Sequence, residues 1–382
     1  MVTSRSPLRF HWSLPNSGGD RLRAARPHSH TDPVTDLPAQ RMFCQQAEDA
    51  GIDSVLLPIG FHRADPVTLA GVLGLTAKRL TLMVASRSGI VSPTYFVQQV
   101  NTVAALCAGR ISINVVLGRT SAELRYYGDF LDHDERYRRT DEFWTICDAL
   151  WRREFPVDFN GEFLRVEGAR INDYFVSATR AKPEVYFSGS SDLAAQIAVK
   201  HGDCLLCFAE PPGDLAARIQ PALEQGLEVA IICTLIARPT RDDAVRAADE
   251  LARAAGERGR AVQRDVRRET ADSVGFTRGY ALSERESPWL TPYLWSGLVP
   301  HMGPPSVALV GDPDEITEAI FDFRRVGVTQ FLFQGRPDLE AMTFFGEEIL
   351  PRVRRRERAG TAASLSQAEP TASTGASNGH GR

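Results

Sequence analysis

One event repeats along this chain: a short apolar run, a polar turn, then an amphipathic segment. The apolar runs are Phe10 to Pro15, Ser54 to Leu57, Leu80 to Ala85, Ile111 to Leu117, Val185 to Ser188, Asp203 to Phe208, Val229 to Ala237 and Thr329 to Phe333. The amphipathic partners are Leu37 to Ala50, Val67 to Leu75, Thr94 to Leu106, Asp134 to Trp151, Asp192 to Lys200, Asp214 to Glu224, Arg241 to Ala255 and Leu339 to Leu350. Strands alternating with helices form parallel βαβ units. The runs are almost continuously apolar, as strands covered on both faces must be. Eight such units close a (β/α)8 TIM barrel, and the count favours that over an open doubly wound sheet.

Three segments lie outside the repeat. Residues 155–166 read as a hairpin turning at Asn160-Gly161. Residues 256–304 are Arg-rich, then Gly/Ser/Pro-rich, and too long for a plain connection, so they read as a lid or binding insertion. Beyond Glu357 the Ala, Ser, Thr, Gly and Asn content predicts a disordered tail, residues 358–382. The length of 382 residues would allow two or three domains. The strand count reduces this to one elaborated barrel over residues 1–357.

Composition excludes several classes. The net charge of −4 offers no basic excess to attract nucleic acid or an anionic membrane. Only three of the 44 basic residues are lysines (Lys78, Lys182 and Lys200), a bias that a GC-rich coding sequence explains. Six cysteines are too few for a disulfide scaffold in a chain this long. No apolar stretch approaches the ~18 residues of a membrane span, and the first residues lack a signal-peptide core. A cytoplasmic protein is expected.

Barrel enzymes place their chemistry at the C-terminal strand ends. Asn16, His62, Arg63, Arg87, Asn114, Glu210 and Arg336 fall at those ends, and Asn114 interrupts an otherwise apolar strand. Ser188-Gly-Ser-Ser-Asp192 joins a strand to a helix; it can cradle a phosphate or serve as a plain N-cap, with Ser190 or Asp192 satisfying the first turn. Cys204 and Cys207 face opposite sides of one strand and have no second cysteine pair nearby, so they read as core residues and no metal site is expected. His28 and His30, without matched carboxylates, read as surface histidines. Of His11 and Trp12, one must point into the barrel, and the pattern does not say which.

Taken in order, a longer set of motifs carries a family likeness. They are Trp12-Ser-Leu-Pro15, Arg87 with Ser92-Pro-Thr94, Ala108-Gly-Arg110 leading to Asn114, Phe130-Leu-Asp-His133 with Glu135-Arg-Tyr137, and Val157-Asp-Phe-Asn-Gly161. They continue with Tyr186-Phe-Ser-Gly-Ser-Ser-Asp192, Glu210-Pro-Pro212, Asp272-Ser-Val-Gly275, Leu294-Trp295 with Gly297, and Ala308-Leu-Val-Gly-Asp312. From about Phe10 to Val353 the chain resembles the bacterial luciferase-like flavin monooxygenases, in particular the reduced-FMN-dependent alkanesulfonate monooxygenases. The resemblance implies a luciferase-like barrel with the flavin at the strand C-termini. Asn114, His133, Tyr137, Gly189, Ser190 and Ser191 would surround the flavin and its phosphate, and Leu57, Pro58 and Ile59 would form the floor beneath the ring. It further implies a separate NAD(P)H-dependent reductase that supplies reduced FMN (FMNH2), reaction of that flavin with O2, a lid over residues 256–304, and a dimer or tetramer.

The departures are informative. Against the sulfonate-cleaving relatives, Ile232 and Thr234 stand where an arginine and a histidine are expected, and Met302 where the lid arginine would be. Arg63 replaces a cysteine, Phe208 a tryptophan, Ser17 a histidine, Arg336 a tyrosine and Asp338 a histidine. Each lost charge-assisted bond to a buried anion costs roughly 1.5–3 kcal/mol, which discounts a sulfonate substrate unless Arg63 and Arg336 hold it. The favoured expectation is a two-component flavin monooxygenase acting on a small or medium organic substrate of secondary metabolism. His62, Arg63, Thr234 and Arg336 are its candidate catalytic groups. The alternatives are a desulfonating enzyme with a rearranged anion site, a deazaflavin-dependent hydride-transfer enzyme, and a non-catalytic flavin-binding barrel.

Overall fold

The computed structural model describes residues 6–15, 36–118, 120–335 and 338–368. Its strands in chain order are β1 (Arg9–Ser13), β2 (Ser54–Leu57), β3 (Thr81–Ser86), β4 (Ile111–Val115), β5 (Val157–Asn160), β6 (Arg165–Ala169), β7 (Glu184–Ser188), β8 (Cys204–Phe208), β9 (Glu228–Ala237), β10 (Leu294–Trp295), β11 (Ala308–Gly311) and β12 (Gln330–Gly335). Eight of them close a parallel barrel in the order β1-β2-β3-β4-β7-β8-β9-β12, with β12 returning to β1. All eight apolar runs read from the sequence are barrel strands.

The barrel's interior follows from strand parity. Successive residues of a strand alternate between lumen and helix layer, and the inward set is layered by chemistry. Leu56, Met83, Ala85, Tyr186, Cys204, Leu206, Ala230 and Leu332 fill the lumen as one apolar cluster. The outward set, including Phe10, Trp12, Leu57, Val84, Phe187, Cys207 and Phe333, packs against the surrounding helices. Below the apolar layer lies a polar one. The buried His11 takes hydrogen bonds at both ring nitrogens, Nδ1 with Ser54 Oγ at 2.7 Å and Nε2 with Gln330 Oε1 at 2.8 Å. Gln330 Oε1 also accepts from Tyr186 Oη at 2.9 Å, while Gln330 Nε2 donates to Glu228. The amide oxygen can only accept, so His11 carries its proton on Nε2 and accepts from Ser54 at Nδ1.

Burial lowers the His11 pKa below its usual value, so the ring stays neutral in the fold. The unfolded chain takes up that proton below about pH 6.5 while the native state does not, so stability falls as pH drops through that value. At most this contributes about 1.4 kcal/mol per pH unit. Urea unfolding of wild type and His11→Gln at pH 7.5 and 5.5 is expected to show a smaller loss in the variant; equal losses would refute the assignment.

Helices end and begin where the sequence provides caps. Ser92, Asp132 and Ser191 cap the helices Pro93–Leu106, His133–Trp151 and Asp192–His201, and Asp132 with Glu135 forms a full capping box. β5 and β6 form the expected antiparallel hairpin, with Asn160 opposite Arg165. Gly161 N–H donates to Leu164 O, so the connection is a four-residue loop and not a two-residue Asn-Gly turn.

The insertion and the C-terminus differ from expectation. The helix Arg241–Glu269 runs far past Ala255, broken at Gly256, whose φ of 51° only glycine adopts readily. Within residues 256–304 the helix Val274–Leu282 and strand β10 follow. β10 pairs antiparallel with β11, which extends the sheet beside the C-terminal half of β9. Helix Pro313–Arg325, capped by Asp312 and Glu315, leads into β12. The last helix spans Leu350–Ala368, so residues 358–368, expected to lack structure, are helical. Residues 369–382 lie outside the described residues. Among the described residues no helix is long and apolar enough to cross a membrane, and no cluster of side chains has metal-ligand character.

Candidate active site

A cavity of about 350 Å³ opens at the C-terminal mouth of the barrel. Its floor is the top of the lumen's apolar layer: Leu56, Ala85, Leu206, Ile232 and Leu332. Inward parity at the strand ends brings Arg87, Asn114, Ser188 and Phe208 to its walls. Ser188 Oγ donates to Asn114 Oδ1 at 2.6 Å, which orients the amide.

One end of the cavity gathers groups that can hold an anion. The turn Ser188–Ser191 leads into helix Asp192–His201, and Ser191 Oγ accepts from Ala194 N–H as its cap. Ser191 Oγ also donates to Tyr137 Oη at 3.2 Å. Burial raises the Tyr137 pKa, against a smaller opposing contribution from Ser191, so the phenol stays protonated. Opposite lies a second helix start, Val274–Leu282, capped by Ser273. There Gly275 approaches so closely that an added Cβ would sit 3.2 Å from Ser190 Oγ. Two helix N-termini therefore face one space, each presenting unpaired N–H groups and the positive end of its dipole.

Arg136 stands at the same end. It is buried, donates to Leu131 O at 2.8 Å and lies 3.6 Å from Asp272, while its Nε has no partner. Gly189 is held tightly as well: a Cβ there would lie 2.4 Å from Ala194 Cβ. His133 lies beside Tyr137, ring centroids 5.0 Å apart, with Nδ1 2.9 Å from Asp134. The insertion supplies Asp272–Phe276 to the wall, Pro305 just after it adds to the same wall, and Phe276 meets Phe208 edge-on at 5.4 Å.

This arrangement, an apolar floor leading to a two-helix anion end, can be compared with known proteins. The sequence profile of the luciferase-like monooxygenases matches residues 8–330. The chain belongs to that family. Among solved structures, the luciferase-like barrel is similar to EDTA monooxygenase (EmoA) from Chelativorans sp. BNC1, with 17% identity, a TM-score of 0.74, and coverage of 92% of this chain and 94% of that one. It is also similar to riboflavin lyase (RcaE) solved with modified FMN and riboflavin, with 20% identity, a TM-score of 0.68 and 92% coverage of both chains. An F420-dependent secondary alcohol dehydrogenase shares 19% identity and a TM-score of 0.63 over 91% of this chain and 100% of its own. At these identities the likeness carries the fold.

In this member of the family the residues expected around the cofactor are largely brought together. Pro58, Ile59, Asn114, His133, Tyr137, Gly189, Ser190 and Ser191 all line the cavity. Leu57 does not: parity turns it into the helix layer, and its neighbour Leu56 takes the floor position. The described members of the expected catalytic set, His62, Arg63 and Thr234, do not line the cavity. His62 sits exposed in a turn closed by Arg63 N–H to Gly60 O, its ring edge-on to Phe61 at 5.0 Å. Arg63 donates to Leu14 O at 3.4 Å, outside the lining. Thr234 is buried on β9 one step above Ile232 in the inward set, and is not part of the lining. Glu210 lies buried beside Arg218, its carboxyl pushed up by burial, away from the cavity. Arg336, Asn16, Ser17, His28 and His30 lie outside the described residues. Arg136, Ser273 and Gly275 were not singled out for the anion end by residue pattern. A signal existed in Ser273, a helix-cap type with a glycine two residues on.

Proposed function

We propose that this protein is a two-component monooxygenase that takes up reduced FMN from a separate NAD(P)H-dependent flavin reductase and uses O2 to oxygenate a small or medium organic substrate. The carrying observation is the pair of helix N-termini at Ser191 and Ser273, with Arg136, closing one end of an apolar-floored cavity at the barrel mouth. The donor set fits a flavin phosphate. The buried Arg136 Nε without a partner and the Gly189 turn, which a Cβ would obstruct, both suit a ligand oxygen held close to the backbone.

In this reading Ser190, Ser191, Arg136 and Tyr137 hold the phosphate. Tyr137 Oη accepts from Ser191, which leaves its own proton for a phosphate oxygen. Leu56, Ala85, Leu206, Ile232 and Leu332 give the ring a dry bed, and Pro58 and Ile59 border it. The bound reduced flavin supplies two electrons to O2. Phe208, Val274, Phe276 and Pro305 keep water from the reacting space, which favours coupled over wasteful oxygen use.

The apolar replacement at Ile232, which lines the floor, weighs against an alkanesulfonate, since it removes a cation from the cavity wall. A deazaflavin cofactor such as F420 also carries a phosphate on its side chain, so the discriminating test is chemical. Anaerobically reduced FMN plus enzyme, mixed with ¹⁸O2 and candidate substrates, is expected to place one labelled oxygen in a product. Binding of F420 in preference to FMN, with substrate reduction and no label, would replace this reading with hydride transfer.

A further inference from the structure

Arg87 directly follows β3 and continues the inward parity of Thr81, Met83 and Ala85, and it lines the cavity while being only 7% exposed. Its Nη2 donates to Glu123 Oε1 at 2.8 Å, and its guanidinium lies over the Tyr127 ring, 5.3 Å from the centroid. The other two nitrogens, Nε and Nη1, are buried without a partner. Burying a guanidinium with two donors unused is costly. Glu123 and Tyr127 fix its position but leave that cost standing. An acceptor inside the cavity would remove it.

The acceptor can be identified by position. The anion end lies at the starts of helices Asp192–His201 and Val274–Leu282, with Arg136 as its cation. Arg87 sits at the C-terminal end of β3, which β4 separates from β7 and the turn that follows it, so it does not belong to that end. Between the two arginines lies the apolar floor. A flavin whose phosphate occupies the anion end would place its ring over that floor. The ring has one polar edge rich in acceptors, N1 and the C2 carbonyl, which becomes negatively charged on reduction.

We propose that Arg87 is the cation for that edge, a residue that selects the reduced over the oxidised flavin, with Glu123 setting how much of its charge the ring feels. This rests on the flavin reading above. The Arg87–Glu123 pair acts as a local dipole, so its two members should push the flavin equilibrium in opposite directions.

The test measures dissociation constants for oxidised and anaerobically reduced FMN, and the midpoint potential of the bound flavin, in the full-length protein. Arg87→Gln is expected to weaken reduced FMN by roughly tenfold or more relative to oxidised FMN, the effect of one lost charge-assisted bond. Its potential should move negative, and Arg87→Lys should recover most of the shift. Glu123→Gln should tighten reduced FMN and move the potential positive. A purely structural role would shift both redox states alike, and that result overturns the proposal, as does a shift of the same sign in both variants. Tight FMN binding by wild type with no redox-selective change in Arg87→Gln removes this inference alone. Failure of wild type to bind FMN removes the functional reading with it.

Discussion

Gly189→Ala is expected to cost on the order of 100-fold in FMN affinity, the equivalent of two charge-assisted phosphate bonds at about 1.5 kcal/mol each. The reason is local. The added methyl would sit 2.4 Å from Ala194 Cβ and 3.4 Å from Tyr137 Oη. Ala194 belongs to the first turn of the helix whose N-terminus faces the phosphate, and its N–H is the one capped by Ser191. Relieving the clash must move either the turn or the helix start, and both carry the donors. Titration with FMN and with riboflavin separates the effects: the loss should fall on FMN, since riboflavin has no phosphate to lose. Adding Ala194→Gly makes room for the methyl and should restore much of the affinity. If Gly189→Ala keeps near wild-type FMN affinity with an unchanged circular dichroism spectrum, the phosphate does not bind at this turn.

That turn was legible in the sequence because its chemistry is local. Small residues between a strand and a helix signal a close approach wherever they occur, although the cap is Ser191 and neither Ser190 nor Asp192, the two residues the pattern offers. The opposite wall was harder to read. Ser273 and Gly275 lie more than eighty residues away, inside an insertion with no strand repeat to place it, and only the fold brings Gly275 against Ser190. The barrel itself could be read from continuous apolar runs, since a strand buried on both faces has no alternation to misjudge. The same continuity hides which face is which. In Ser54-Val-Leu-Leu57 nothing marks Leu56 as inward and Leu57 as outward, and the floor was assigned one residue too far. Helix Pro313–Arg325 falls outside the eight-unit repeat, yet its sequence carries a proline at the first position and a capping box at Asp312 and Glu315. His62 was chosen for its residue type at a strand end, and the turn at Gly60 carries it out of the cavity. Residue type proposes a site member; backbone geometry decides whether it can reach.

The His11/Trp12 ambiguity has a similar resolution, and it leads to the largest stability effect expected in this fold. His11 turns into the lumen because Ser54 and Gln330 offer it hydrogen bonds there and Tyr186 meets its ring edge-on. Parity then forces Trp12 outward, where it packs edge-on against Phe333 at 5.6 Å and beside Phe345 at 6.1 Å. Phe10, Phe331, Phe333 and Phe345 continue the cluster, with Phe10 and Phe345 4.9 Å apart. These rings join β1 and β12, the first and last strands of the barrel, to the helical turn Phe345–Ile349. Trp12→Ala leaves a void among rigid rings that cannot close over it, so a loss of about 3–5 kcal/mol is expected in denaturant unfolding. The indole Nε1 has no partner, so no hydrogen bond is forfeited and the cost is packing alone. Trp12→Phe should therefore retain more than half of the lost stability. The cluster lies on the helix side of the strands, so FMN affinity of the folded protein should be unchanged in both variants. A loss under about 1 kcal/mol in Trp12→Ala would mean that the helical turn collapses onto the gap and that β1 and β12 are held together by their ladder instead.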